Sequence, residues 1–369
     1  MAEPTVKRTL GAFADQQAGE VYAENEGIAR KNRVLTAELK AAEEKVAAAT
    51  AQADALQSQL DLYAHQYNDR PDWLTGLKKP TASEATLLGL LSDLHTGEVV
   101  KLGELNGYNR YDMRIADLRL KRFFTKSIEL AQSWTTCKYN GAVLALLGDL
   151  VSGDVLHDEL VTTNEASTPQ VVLWLVPRLS EGIELWRKAF GKVHVPSAPG
   201  NHGRDSKIPR YKGRSAHNFD TLIASLVARE FSHVDGVTFE IPESLDANFT
   251  LHGLAFSAEH GEELARNFNG SAEIGVLGPM VRGTGRKKNA YAVEGKALDI
   301  ALWGHFHQLK PVPSGGFIAN GSVKGYDEFA RGLKLRPEPP QQALMAVVPE
   351  YGITINAPVL VQDRKAERW

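Results

Sequence analysis

The chain has 369 residues, 43% hydrophobic and 24% charged, with a formal net charge of -3. At roughly 100–200 residues per domain this is room for two domains, or one large domain with an appendage. The charge excludes a polycation, so contact with nucleic acid must come from local patches. A single cysteine, Cys137, excludes an intrachain disulfide framework and a thiolate metal cluster. No apolar run reaches the ~18–20 residues of a membrane span, and no basic segment followed by an apolar stretch opens the chain. The expected setting is therefore a reducing cytoplasm, with no membrane partner.

Residues 12–67 lack proline, hold only Gly19 and Gly27, and are dense in alanine between Ala41 and Ala55. From Leu35 onward apolar or small residues step 4-3-4-3 through Leu39, Ala42, Val46, Ala49, Ala53, Leu56, Leu60, Tyr63 and Tyr67. In that register Leu39, Val46 and Leu60 fall at a, and Leu35 and Leu56 at d. Val21 and Ile28 extend the d series backwards, while Asn25 and Asn32 sit at a, where a buried amide selects a dimer and fixes register. The pattern predicts a helical coiled coil over 1–70 that makes a homodimer or higher homo-oligomer. A monomeric helix lying across its own domain is the alternative. Pro71 and its turn-forming neighbours end the helix, giving a linker over 71–84 and a body over 85–369.

The body alternates short apolar runs (86–91, 142–147, 193–197, 298–303) with helical stretches (114–135, 171–190, 218–231). A later section is strand-rich (237–241, 249–251, 254–257), and the tail adds 317–319, 342–348 and 353–361. Strands alternating with helices predict a parallel-type sheet, and the strand-only section a second sheet packed on it. The expected fold is α/β (α+β): two packed β-sheets flanked by helices, with the long helix in front.

Each buried run ends in a polar cluster: Asp93-Leu94-His95, Gly148-Asp149, Gly200-Asn201-His202, Glu259-His260-Gly261 and Gly304-His305-Phe306-His307. Loops beyond the carboxyl ends of strands are where ligands bind in α/β sheets. Any one of these clusters alone reads as turn chemistry. Gly-His-x-His says more, because residues two apart in an extended segment share a side. Together they predict a two-metal centre of carboxylate, carboxamide and imidazole. That donor set suits manganese, iron or zinc better than calcium or cuprous copper; manganese is the first choice, and magnesium is admissible. Asp149 is the natural bridge, and two such cations about 3.5–4 Å apart can share a hydroxide and clamp an in-line displacement at phosphorus.

The set D-x-H, GD, GNH, H and GHxH resembles that of the calcineurin-like metallophosphoesterases, over about 88–324. The resemblance implies that Asp93, His95 and His307 hold the first metal and Asn201, His260 and His305 the second, with Asp149 bridging. His202 is implied as the catalytic residue, acting on the leaving-group oxygen as general acid or stabilising phosphoryl charge. Two departures stand out. Gly203 occupies the place after the Asn-His pair where the family usually carries Glu or Asp, and the GD loop runs Gly148-Asp149-Leu150-Val151-Ser152-Gly153-Asp154 instead of GD-x-x-D. Asp154 and His157 in that loop are candidate substrate contacts. Of the other histidines, His194 reads as a core residue, His65 as surface, and His217 as a candidate phosphate contact.

Arg204, Lys207, Arg210, Lys212 and Arg214 follow the Asn-His pair with only Asp205 opposing them. Arg282, Arg286, Lys287 and Lys288 form a second cluster, read as a glycine-rich loop. Cations gathered near the metals predict a polyanionic substrate, DNA first among them. Phe306, Tyr326 and Phe329 could stack bases, although packing is the simpler reading. The resulting expectation is a metal-dependent phosphodiester hydrolase, most simply a DNA nuclease, resembling the SbcD-type repair exonucleases of phage or bacterial kind. It would work in the cytoplasm, that of the host for a phage protein, and a partner ATPase is left open. The alternative is a phosphatase or small-molecule phosphodiesterase whose coiled coil serves assembly alone. A scaffold with a decayed site is disfavoured, because drift would have erased at least one of eight positions.

Overall fold

The computed structural model describes residues 10–66, 84–265 and 274–369. The chain divides into two units, Met1–Gln66 and Tyr67–Trp369. In the first, α1 (Leu10–Gln66) runs unbroken for 57 residues, as a proline-free stretch rich in alanine, glutamate and leucine should. The large seam side chains described in it, Val21, Ile28, Leu35, Leu39 and Val46, are each about half exposed or more. The predicted linker over 71–84 lies outside the described residues except for Glu84, which opens the first strand.

The second unit begins with β1 (Glu84–Leu91), α2 (Met113–Ser133), β2 (Lys138–Leu146), α3 (Leu160–Thr163), α4 (Thr168–Phe190), β3 (Val193–Pro196), α5 (Phe219–Glu230) and β4 (Val237–Glu240). It continues with β5 (Asp246–Leu251), β6 (Leu254–Glu259), α6 (Glu262–Ala265), α7 (Ile274–Val293), β7 (Ile300–Trp303), β8 (Lys310–Val312) and β9 (Phe317–Ala319). The chain closes with α8 (Glu328–Gly332), β10 (Gln341–Val348), β11 (Gly352–Leu360) and α9 (Arg364–Glu367).

Two sheets result. Six strands lie in the order β11-β10-β1-β2-β3-β4 and five in the order β5-β6-β7-β9-β8. β1 through β4 pair in parallel, and the β10–β11 hairpin closes the first sheet antiparallel to β1. In the second sheet β6, β7 and β9 are parallel. The tail strands therefore divide: 317–319 joins the second sheet, while the last two return to the first.

The apolar runs are explained by burial on both faces. Leu87 and Leu91 of β1 pack with α2 and α4, around Phe123, Leu179 and Trp186. Leu88 and Leu90 point the other way, meeting Phe249, Phe256 and Leu302 of the second sheet. Outside that sheet, Met280 of α7 and Leu264 of α6 cover Trp303 and Phe317. The site loops thus leave a sandwich whose layers are fixed on both sides. No helix among the described residues is long and apolar enough to cross a membrane.

The second basic cluster is not a loop. Arg282, Arg286, Lys287 and Lys288 lie within α7. Of the two glycines that suggested a turn, Gly285 faces open space and Gly283 serves packing: a Cβ on Gly283 would stand 2.1 Å from Leu264, so glycine is what lets α6 lie close against α7.

Candidate metal centre

The five polar clusters meet at one end of the sandwich. Asp93, His95 and His307 bring their donor atoms within 4.8 Å of one another, and Asp149, His260 and His305 do the same. In the first group His95 Nε2 lies 3.0 Å from His307 Nε2, which is 3.3 Å from Asp93 Oδ1. In the second, Asn201 Oδ1 lies 2.8 Å from His260 Nε2 and 2.9 Å from His305 Nδ1. Asp149 Oδ2 reaches both groups, 3.8 Å from His95 Nε2 and 3.1 Å from His260 Nε2. Donors about 2.1 Å from a common cation at right angles stand about 3 Å apart, so these spacings fit divalent ions.

Backbone conformation says the same independently. Asp93, His95, Asp149, His305 and His307 all have φ between 46° and 70°. A side chain in this left-handed region is uncommon and clusters where function demands it. Among the described residues nine non-glycine positions adopt it, and five are these.

Neighbouring groups aim the donors. His260 Nδ1 donates to the Leu147 carbonyl at 2.7 Å, turning Nε2 inward. Asp93 accepts from the His305 amide at 3.0 Å and from the Ser92 hydroxyl. Burial pushes the His305 imidazole down to about 3 and the His95 imidazole well below its ordinary range, so both offer lone pairs at neutral pH. Burial would also lower His260, but the Asp149 carboxylate beside it wins and raises it to about 10. An anion that holds a buried proton this firmly marks a place built for positive charge.

His202 stands over the first group, its ring centroid 4.4 Å from that of His95. Its Nδ1 donates to the Ser152 carbonyl at 2.7 Å, and its amide donates to Asp149 Oδ1 at 2.8 Å. The acid missing at Gly203 is thus replaced, for orientation, by a main-chain carbonyl of the GD loop. Room for that acid is absent too: a Cβ on Gly203 would meet Asn218 Oδ1 at 2.5 Å and Asp220 Oδ2 at 2.9 Å.

Asp220, which the sequence reading passed over, is a hub. Its carboxylate accepts from the amides of Asp149, Leu150 and Gly200 at 2.9–3.0 Å. Burial and the nearby Asp149 charge raise it to about 6. In sequence it is an acid in the first turn of a helix capped by Asn218, which reads as dipole compensation and hides its other role. Lys324 was also missed. Buried beside the first group, it donates to both Glu98 oxygens at 3.0 Å and pairs with Asp327. The Ser92–Asn320–Gln342 network behind Asp93 had a usable signal, since Asn320-Gly321-Ser322 follows β9 just as the other clusters follow their strands.

The predicted substrate contacts fare unevenly. His157 lines the cleft, its ring 5.8 Å from that of His202. Asp154 is half-buried in the same loop and is not among the cleft-lining residues. Arg204 and Arg214 are corrections: both are buried and clamp α6, Arg204 donating to Glu262 at 2.8 Å and Arg214 to Glu262 and Glu263. They brace the loop carrying His260 and leave no charge for a substrate. Arg286 lines a separate depression with Glu259 and Trp303, away from the metal cleft. Lys207, Arg210 and Lys212 are exposed, Lys207 pairing with Asp158 and Arg210 with Asp205. His217 likewise pairs with Asp205 at 2.8 Å.

Neither a family model nor a curated protein matches the sequence. Among solved structures the chain is similar to wild-type Vps29 from Entamoeba histolytica complexed with zinc, at 11% identity over 74% of this chain and 99% of that one, TM-score 0.28. It is also similar to a dimetal phosphatase from Danio rerio, at 11% identity over 75% and 99%, TM-score 0.32. Phosphopantetheinyl hydrolase from Mycobacterium tuberculosis gives 13% over 67% and 92%, TM-score 0.27. These likenesses are loose, and the chemistry of the site rests on its own geometry.

Proposed function

We propose that the chain is a dinuclear-metal phosphodiester hydrolase. The observation that supports this best is one carboxylate, Asp149, reaching two donor groups beside His202, whose Nδ1 is committed to the Ser152 carbonyl. Two divalent cations held there, manganese in our reading, would supply Lewis acidity at phosphoryl oxygens and a water of lowered pKa. The chain's own part is positional. Asp93, His95 and His307 on one side and Asn201, His260 and His305 on the other fix where the phosphate lies. The Ser152 carbonyl holds one His202 proton on Nδ1, leaving Nε2, when protonated, to donate to the ester and release that proton to the departing oxygen.

The nuclease reading, first among the sequence expectations, is the finer one, supported by exposed Lys207, Arg210 and Lys212 just beyond the Asn-His pair. Both readings face one panel: manganese-loaded protein with bis-p-nitrophenyl phosphate, mono-p-nitrophenyl phosphate, and labelled single- and double-stranded DNA. Hydrolysis of the diester, abolished by a chelator, is expected; cleavage of the monoester alone would replace this proposal with a phosphatase. If DNA is cut, changing Lys207, Arg210 and Lys212 together to Gln should lower DNA cleavage about tenfold at moderate salt and flatten its salt dependence, with the small diester unaffected. Unchanged DNA cleavage would leave those cations as a solvated face.

We further propose that α1 pairs with a second copy through its predicted seam, which is exposed from Val21 to Val46. Removing residues 1–70 should convert a dimer into a monomer that keeps its activity on the small diester. Light scattering that still reports a dimer would move the interface to the other unit.

A further inference from the structure

The cleft over the metal centre has a second wall that the hydrolase reading does not use. Leu160 of α3, Phe306, and Phe329, Ala330, Leu333 and Leu335 from α8 and just beyond it line about 330 Å³ together with the metal-site histidines. Phe329 is 65% exposed and Leu333 54% exposed, so these are not packing residues. Two large apolar side chains left open to water at a reaction centre call for an occupant.

Charge limits what that occupant can be. Among the described residues lining the cleft, Lys324 is the single lysine or arginine, and Glu98 and Asp327 both hold it. Glu159 adds a further carboxylate to the lining. A second phosphate beside the reacting one would find acids and no free cation. A second anionic group is therefore excluded, and beside two divalent cations an uncharged group fits better than a cationic one. Ring geometry narrows it further: Phe329 stands 6.3 Å from His157, which in turn lies 5.8 Å from His202, so aromatic surface runs from the reaction centre to the wall. A flat ring gains more from such surface than an aliphatic chain does.

We propose that this wall seats an uncharged planar ring carried next to the reacting phosphate, a nucleobase being the model case, with Phe329 as the stacking residue. The inference rests on the hydrolase reading and adds the substrate's organic half. It fits a nucleotide ester whose other phosphates, where it has any, lie outside the cleft, because only one ring is held.

The test is calorimetric titration of the full-length, manganese-loaded protein with inorganic phosphate, glycerol phosphate and AMP. AMP should bind about tenfold more tightly than either of the others, the scale of one base stacked on one aromatic side chain. Phe329→Ala should erase that preference and leave phosphate and glycerol phosphate unchanged, while Phe329→Tyr keeps it. The residue is exposed, so folding is not at risk. Equal affinity for AMP and glycerol phosphate, or a loss in Phe329→Ala shared by all three ligands, overturns the seat and leaves the hydrolase standing. If none of the three binds and no ester is cleaved, the hydrolase reading falls and the seat with it.

Discussion

Asp149→Ala should yield a folded protein that no longer holds its metals. The carboxylate is buried between His260, His202 and His95; burial alone would raise its pKa, but those imidazoles hold it well below the carboxylate range. Without it the second donor group keeps only the neutral Asn201, His260 and His305, and no anion to balance a divalent charge. The first group retains Asp93, so any residual ion should sit there, weakly. Elemental analysis after preparation with manganese is expected to fall from two ions per chain to nearly none, with hydrolysis lost alongside. Full occupancy in the variant would refute the bridging role. Asp149→Asn, which preserves shape and removes charge, separates the two contributions: if the charge matters most, it should lose metal almost as completely.

His202→Ala should do the opposite, keeping both ions and losing the reaction. Its Nδ1 is committed to the Ser152 carbonyl, and it is absent from the group of Asp93, His95 and His307 and from that of Asp149, His260 and His305. Removing a general acid costs about 10²–10⁴ in rate. That loss should be smaller for a p-nitrophenyl ester, whose leaving group needs little protonation, than for an alkyl ester. The rival reading is specific, because His202 also lies within reach of a metal shared by His95 and Asp149. Metal content falling in step with activity would make His202 a ligand and remove it from the acid's place.

The convergence of the candidate metal-holding residues was legible in sequence because they end strands that are buried on both faces. Leu87 and Leu88 face different layers, yet both are apolar, so each run and its terminal polar cluster stand out. Charge was legible only in sign. Arg204 and Arg214 look like a substrate surface until the chain brings Glu262 and Glu263, about fifty residues away, against them. The same holds for α7, where Gly283 reads as a turn and serves as a socket for Leu264. Phe329 erred the other way, an aromatic taken for packing that stands open at the cleft. Asp220 shows a third kind of loss: its partners are main-chain amides, which carry no letter in the sequence.

The left-handed backbone at Asp93, His95, Asp149, His305 and His307 has an energetic consequence for the whole rim. Holding an L-residue there costs about 1 kcal/mol each, on the order of 5 kcal/mol across the set. The sandwich beneath bears that load when the ligands have only one another for company, and attraction to cations relieves it. Metal uptake and loop rigidity would therefore form one equilibrium. Loss of an ion would hand the load back at once to all three segments that carry these residues, however far apart they lie in the chain.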